Sequence, residues 1–197
     1  SEAEQFICYR RIVRQMRGLP VIIRVFDVGG DKALGTTEWR RDLNPYLGWR
    51  AMRFLLREPQ IFKTQLRAIL RASVYGDVGI MFPLITGLQE LLAAKQLVQE
   101  AREQLISEGF VFGKPVRIGC MIEVPSAAIV ADLLAQECDF LSIGTNDLVQ
   151  YSLAVDRGNP ALSRHYTPTH PGIIRLIRLI VTEANRWKIP VTVCGEI

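Results

Sequence analysis

Long apolar runs are missing from this sequence: none approaches the 18 uninterrupted residues that a membrane-spanning helix requires. The N-terminus also lacks the charged-then-apolar order of a signal peptide, so no membrane segment is expected. Cysteine is sparse: Cys8, Cys120, Cys138 and Cys194 are far apart and form no C-x-x-C pair, which argues against a zinc site or a disulfide framework. Thiols kept reduced place the expectation in the cytoplasm. Neither G-x-G-x-x-G nor a P-loop occurs, so nothing supports nucleotide binding. Charge of one sign is not strongly in excess. The net charge of +4, from 24 basic and 20 acidic residues, fits a small anionic ligand and is far from the balance of a nucleic-acid binder. What remains is ordinary: 197 residues, 49% hydrophobic and 22% charged, enough for one domain with its own core.

The pattern along the chain alternates. Apolar positions at Phe6, Ile7, Tyr9, Ile12, Val13 and Met16 recur near a 3.6-residue period and predict a helix over 2–17, closed by Gly18 and Pro20. An apolar run from Val21 to Phe26 predicts a strand ending at Asp27, Gly29 and Gly30. Residues 33–48 read as irregular, with Asn44-Pro45 and Gly48 as turn signals. Two helices follow, broken near Glu58-Pro59, because proline fits a first turn and not a helix interior. Further strands are predicted over 79–85, 117–124, 139–144 and 190–196. Helices are predicted over 87–109, 125–136 and 171–188, and a polar loop after Asp147 through Asn159. Strand and helix alternate with apolar strands, which argues for a parallel sheet covered by helices. The fold class expected is α/β, a (β/α)8 TIM-type barrel present as an incomplete piece with about five strands, one strand lying before Ser1 and two after Ile197. A flat doubly wound sheet is the alternative.

Polar residues gather where those strands end, the face that carries sites in such barrels. Arg24 interrupts an apolar strand, which is costly unless it meets an anion; the alternative is a salt bridge to Asp27 or another carboxylate. Arg50 follows a turn glycine beside Trp49 and is the arginine of its region expected to point into a site, the others being solvated or paired. Glu123, flanked by Ile122 and Val124, requires a metal or an arginine as partner. Thr145-Asn146-Asp147 reads either as a binding site or as a helix N-cap. Glu123 and Asp147 together suit a hard divalent cation that keeps several waters, magnesium being the natural candidate. Arg24, Arg50 and Arg157 add guanidinium forks that match phosphate or carboxylate. Cys194 is either a core thiol or a proton donor, since a thiol of pKa about 8.5 can act as an acid near neutrality. His165 and His170 read as surface or loop-packing residues.

The segments VIIRVFDVGGDK, NPYLGWRAMR, QLRAILRAS, MIEVPSA, DFLSIGTNDLVQYSL, LAVDRGNP and VCGE, in this order, resemble enzyme I of the bacterial phosphoenolpyruvate-dependent phosphotransferase system, within the wider phosphoenolpyruvate-utilising group. The resemblance covers nearly the whole chain. It implies part of a phosphoenolpyruvate-binding barrel, a transferase that passes the phosphoryl group to a histidine on a swivelling domain. That histidine then phosphorylates the carrier protein HPr, pyruvate is released, and sugar uptake or its regulation is served. By motif, Arg24 and Arg50 would bind the phosphoryl and neighbouring groups, Glu123 and Asp147 would hold Mg2+, and Asn146 and Arg157 would hold the substrate. Cys194 would protonate the enolate carbon. The resemblance also implies a homodimer. The phosphohistidine and HPr-binding domains are absent from residues 1–197, and an arginine from the family's first barrel strand would precede Ser1. The loop around 33–42 is less typical and is compatible with a nitrogen-related or multidomain paralogue. Two other readings are a magnesium-dependent pyruvate or phosphoenolpyruvate lyase, which has no need of the Cys194-Gly195-Glu196 end, and a non-catalytic dimerisation scaffold. The scaffold would rest on Ile173, Ile174, Ile177, Ile180 and Val181.

Overall fold

The computed structural model of the protein describes residues 1–28, 44–113 and 115–195. Gly29, Gly30, most of the loop predicted over 33–48, and Glu196 of the C-terminal motif lie outside the described residues. Among the described residues five strands, β1 (Val21–Arg24), β2 (Val78–Phe82), β3 (Arg117–Ile122), β4 (Phe140–Gly144) and β5 (Val191–Cys194), alternate with helices. The helices are α1 (Glu2–Gln15), α2 (Ala51–Arg57), α3 (Pro59–Ala72), α4 (Leu88–Ser107), α5 (Pro125–Ile129), α6 (Ala131–Glu137), α7 (Thr145–Leu153) and α8 (Pro171–Arg186). Strand order follows the chain, β1-β2-β3-β4-β5. A doubly wound sheet would reverse its order at a switch point. The sequential order is that of an incomplete (β/α)8 barrel, as expected. Among the described residues no helix is long and apolar enough to cross a membrane.

By internal packing the chain divides into two units, residues 1–83 with 93–118 and residues 84–92 with 119–197. In the first, β1 and β2 pair in parallel with Val21 opposite Val78 and Arg24 opposite Met81. Period-two alternation turns Val21, Ile23 and Val25 inward. Helix α3 lays Phe62, Leu66 and Ile69 into the core, and Phe62 meets Phe82 edge-on with ring centroids 6.1 Å apart. Each such side chain removed from water contributes about 1.5–3 kcal/mol. Pro59 opens α3, and the helix break expected at Glu58-Pro59 is present.

In the second unit β3 pairs with β4 and β4 with β5, both in parallel, with Ile122 opposite Ile143 and Gly144 opposite Cys194. Gly119 is required by close approach: a Cβ there would lie 2.5 Å from the Phe140 ring. Helix α8 buries Ile173, Ile180 and Ala184, so part of the face read as a dimerisation surface is core. Two predictions are corrected. The helix expected over 125–136 breaks at Val130 (φ −102, ψ 28) into α5 and α6. The polar loop expected after Asp147 begins as α7, because Leu148 and Val149 supply a buried stripe that its polar residues mask in the sequence.

Candidate active site

Every candidate residue lies at or beyond the C-terminal end of a strand, and the candidates form two sets, one in each unit. In the first unit the chain leaves β1 through Asp27, whose side chain is only 4% exposed. Arg50 closes on it with two parallel bonds, Nε donating to Oδ1 at 3.1 Å and Nη2 to Oδ2 at 2.6 Å. A buried charge is tolerable when paired in this way, and the guanidinium fork matches a carboxylate edge. Arg50 is extended and directly precedes α2; Ala51 then takes φ +49 and donates its N–H to the Val28 carbonyl at 3.0 Å. Gln65, buried on α3, accepts the Phe26 N–H at 2.9 Å and donates to the Tyr9 hydroxyl at 3.0 Å, which fixes the backbone next to Asp27. Nothing in the sequence marks Gln65, since a glutamine within an amphipathic helix reads as surface.

The expectation of a buried Arg24 is corrected. Its side chain is 43% exposed, because β1 alternates and Arg24 falls on the outward phase. Its Nη1 lies 3.7 Å from Asp27 Oδ2, the carboxylate contact weighed as the alternative. Arg24 and Arg50 thus meet at one carboxylate.

In the second unit the candidates surround the turn from β4 into α7. Glu123, just past β3, is 4% exposed, and its Oε1 accepts the Leu84 N–H at 2.7 Å. Leu84 holds φ +53, a left-handed conformation that costs a bulky residue free energy and that clusters at functional sites. A backbone donor is a partner that side-chain chemistry does not announce. Gly144 makes the room: a Cβ there would lie 2.7 Å from Glu123 Oε2. Helix α7 starts at Thr145 with Gly144 as N-cap and no side-chain capping bond. The capping alternative for Thr145-Asn146-Asp147 is therefore corrected; these residues are the first helical turn.

Each of the three has a different use. Thr145 Oγ1 donates to the Cys194 carbonyl at 3.3 Å. Asn146 is half-buried and its carbonyl accepts the Tyr166 hydroxyl at 3.2 Å. Asp147 is 5% exposed in the first turn of α7, where the helix dipole favours an anion, and its Oδ1 lies 3.1 Å from Arg157 Nη2. Gln150 holds the loop that delivers Arg157: its Oε1 accepts the Arg157 N–H at 3.0 Å and its carbonyl accepts the Val155 N–H at 3.0 Å. Gly195, at φ +114, brings the end of β5 onto this turn; a Cβ there would collide with Thr145 Oγ1. Cys194 is half-buried, with Sγ 3.3 Å from Ser142 Oγ and 3.4 Å from the Ile143 carbonyl. His165 and His170 are exposed, and His170 Nδ1 accepts the Gly172 N–H at 3.1 Å as the cap of α8, the loop-packing role expected.

The donor set can be tested against magnesium. Among the described residues no group of three or more His, Cys, Asp or Glu side chains is placed to hold a metal. Two buried carboxylates are nonetheless the complement magnesium takes, since it keeps several waters and completes its shell with substrate oxygens. The Leu84 N–H orients the Glu123 carboxylate, which has about four acceptor sites. Glu123 and Asp147 are hard-oxygen donors of the type magnesium takes.

Comparison with known proteins supplies the remaining observations. The family model described as "PEP-utilising enzyme, PEP-binding domain" matches residues 1–197. Proteins named phosphoenolpyruvate-protein phosphotransferase from Geobacillus stearothermophilus, Mycoplasma capricolum and Haemophilus influenzae are 45%, 47% and 43% identical to this chain over its whole length. The chain spans 34% of the length of each of these relatives. Among solved structures, an HpcH/Hpal aldolase/citrate lyase family protein from Burkholderia cenocepacia is similar over 95% of this chain and 75% of its own, with a TM-score of 0.53 and 12% identity. A citrate lyase from Burkholderia xenovorans is similar over 68% of this chain and 41% of its own, with a TM-score of 0.52 and 22% identity. At such identities the likeness to the two structures concerns the fold alone.

Proposed function

The chain belongs to the PEP-utilising enzymes, its residues 1–197 matching the model of their PEP-binding domain, and from that premise we propose that it binds phosphoenolpyruvate and releases pyruvate within a phosphoenolpyruvate-protein phosphotransferase. The observation that carries this reading is the gathering of Glu123, Asp147, Asn146 and Arg157 at the β4–α7 turn, with Cys194 against the same turn. Buried carboxylates beside a guanidinium suit a small polyanion that arrives with a divalent cation.

In this reading Glu123 and Asp147 hold Mg2+, which when bound offsets the negative charge of the substrate and of the enolate. Arg157 and the Asn146 amide bind substrate carboxylate or phosphate oxygens. Arg24 and Arg50 bind the phosphoryl and neighbouring groups, a role that follows from the family's motif. Phosphoryl transfer breaks the bond between phosphorus and the enol oxygen and leaves its electron pair on that oxygen. The acceptor is a histidine on a separate domain, from which the group passes to an HPr-type carrier. Cys194 then gives its S–H proton to the enolate methylene carbon; a C–H bond forms, pyruvate results, and sulfur keeps the electron pair as thiolate. We place the protein in the cytoplasm, where thiols stay reduced, as all four cysteines are here. The intact enzyme is a homodimer in this reading. The lyase alternative is not favoured, since the relatives above 40% identity are phosphotransferases and the lyases are similar only at 22% identity or below.

The test is transfer of the phosphoryl group from phosphoenolpyruvate to HPr by the intact phosphotransferase. Asp147→Ala abolishes magnesium-dependent phosphoenolpyruvate binding; unchanged affinity in that variant removes the metal assignment. Cys194→Ala lowers turnover about 10²–10⁴-fold, the usual contribution of one general acid. Near-normal turnover in Cys194→Ala removes the thiol from the mechanism.

A further inference from the structure

The function proposed above needs Cys194 to part with a proton and become a thiolate, and the residues that manage that charge can be read from the sheet. Ser142 on β4 lies opposite Thr192 on β5, and Gly144 lies opposite Cys194. Residues two apart on a strand share a face, so Ser142 and Gly144 form one row and Thr192 and Cys194 the next. Gly144 itself places no side chain next to Cys194. The result is a short polar chain across the two strands. Thr192 Oγ1 donates to Ser142 Oγ at 3.3 Å, and Ser142 Oγ lies 3.3 Å from Cys194 Sγ. The thiol directs its own proton to the Ile143 carbonyl at 3.4 Å. A hydroxyl has a single proton. With its oxygen accepting from Thr192 and the thiol proton aimed at Ile143, Ser142 directs that proton at the sulfur. Ser142 is 4% exposed, so this bond is shielded from water.

We infer that Ser142, oriented by Thr192, is a positioning residue for the proton-donating thiol of Cys194. It rests on the proposed role of Cys194 and adds to it. As the S–H bond breaks and the C–H bond of pyruvate forms, the electron pair stays on sulfur, and the Ser142 O–H···S contact becomes charge-assisted. A bond that strengthens as the charge develops lowers the barrier without tightening substrate binding, so its loss falls on kcat and not on KM.

The experiment uses the intact phosphotransferase with phosphoenolpyruvate, Mg2+ and HPr, with Cys194→Ala alongside. Ser142→Ala lowers kcat about tenfold, the worth of one such hydrogen bond, and leaves KM for phosphoenolpyruvate unchanged. Thr192→Val, which keeps the shape and removes the donor, lowers kcat by a smaller factor, and Thr192→Ser recovers most of that loss. Wild-type kcat in Ser142→Ala, or a loss shared between kcat and KM, overturns the inference while leaving Cys194 in place if Cys194→Ala is impaired. Near-normal turnover in Cys194→Ala overturns the reading on which the inference stands. Should Ser142→Ala fail to fold, as judged by thermal unfolding, the Thr192→Val and Thr192→Ser pair decides: equal kcat in the two refutes the inference.

Discussion

Replacing Gly144 by alanine tests whether Glu123 is held where the site requires it. Gly144 has φ −87 and ψ 86, values open to alanine, so the backbone does not resist the change. Loss of glycine's freedom in the unfolded chain would by itself stabilise the protein by about 0.4–1 kcal/mol. Against this, the added methyl would sit 2.7 Å from Glu123 Oε2, 2.8 Å from Met121 Sδ and 2.9 Å from Glu123 Cβ. The sulfur and the carboxylate could swing aside, but Cβ is the root of its side chain, and Oε1 is tied to the Leu84 N–H at 2.7 Å. Overpacking of this kind costs about 1–3 kcal/mol, and the steric effect exceeds the entropic gain. The expected outcome is a net destabilisation of about 1–2 kcal/mol, read as a fall in Tm of roughly 2–4 °C per kcal/mol for a chain of this size. Thermal unfolding with and without Mg2+ measures it, and the increase in Tm on adding the ion shrinks as Glu123 is displaced. A variant that melts at or above the wild-type temperature and keeps its full response to magnesium would refute the reasoning.

Other expectations follow from the same geometry. Arg50→Ala leaves the Asp27 carboxylate buried without its bidentate partner, and the expected loss is about 3–5 kcal/mol in urea denaturation; a loss under 1 kcal/mol contradicts the role given to the pair. The Cys120 thiol is pushed well above the ordinary range by its contact with Cys138, 3.7 Å away, and by complete burial. Its raised folded value means that its contribution to stability is whole below the unfolded thiol pKa of about 8.5 and declines as pH rises beyond it. Denaturation midpoints between pH 8 and 10 fall more steeply for the wild type than for Cys120→Ala; parallel curves argue against that ionisation. Iodoacetamide at neutral pH labels the exposed Cys8 and spares Cys120, which mass spectrometry resolves.

The fold class was legible because strands with near-continuous apolar character, such as Val78–Phe82 and Phe140–Gly144, belong to parallel sheets, and the helices between them carry their own period. So was the placement of Glu123, Asp147 and Cys194, polar residues just where apolar strands stop. Errors came where two structures share one local pattern. A polar stretch headed by Thr-Asn-Asp serves equally as loop, cap or first helical turn, and only packing of Leu148 and Val149 beneath it selects the helix α7. Arg24 looked buried because its neighbours in sequence are apolar, whereas the two-residue alternation of β1 turns it outward.

What the sequence determined alone is therefore the set of chemical groups and their order along the chain: carboxylates and a thiol where strands stop, and arginines on a strand or in the segments that follow one. Which groups touch was decided by the tertiary structure. Asp27 joins Arg24 to Arg50, the Leu84 N–H orients Glu123, Gln150 holds the loop of Arg157, and Ser142 reaches Cys194. These contacts depend on parallel register and on the space left by Gly144 and Gly195. Register and empty space are properties of neighbouring segments, and residue type along one segment does not encode them.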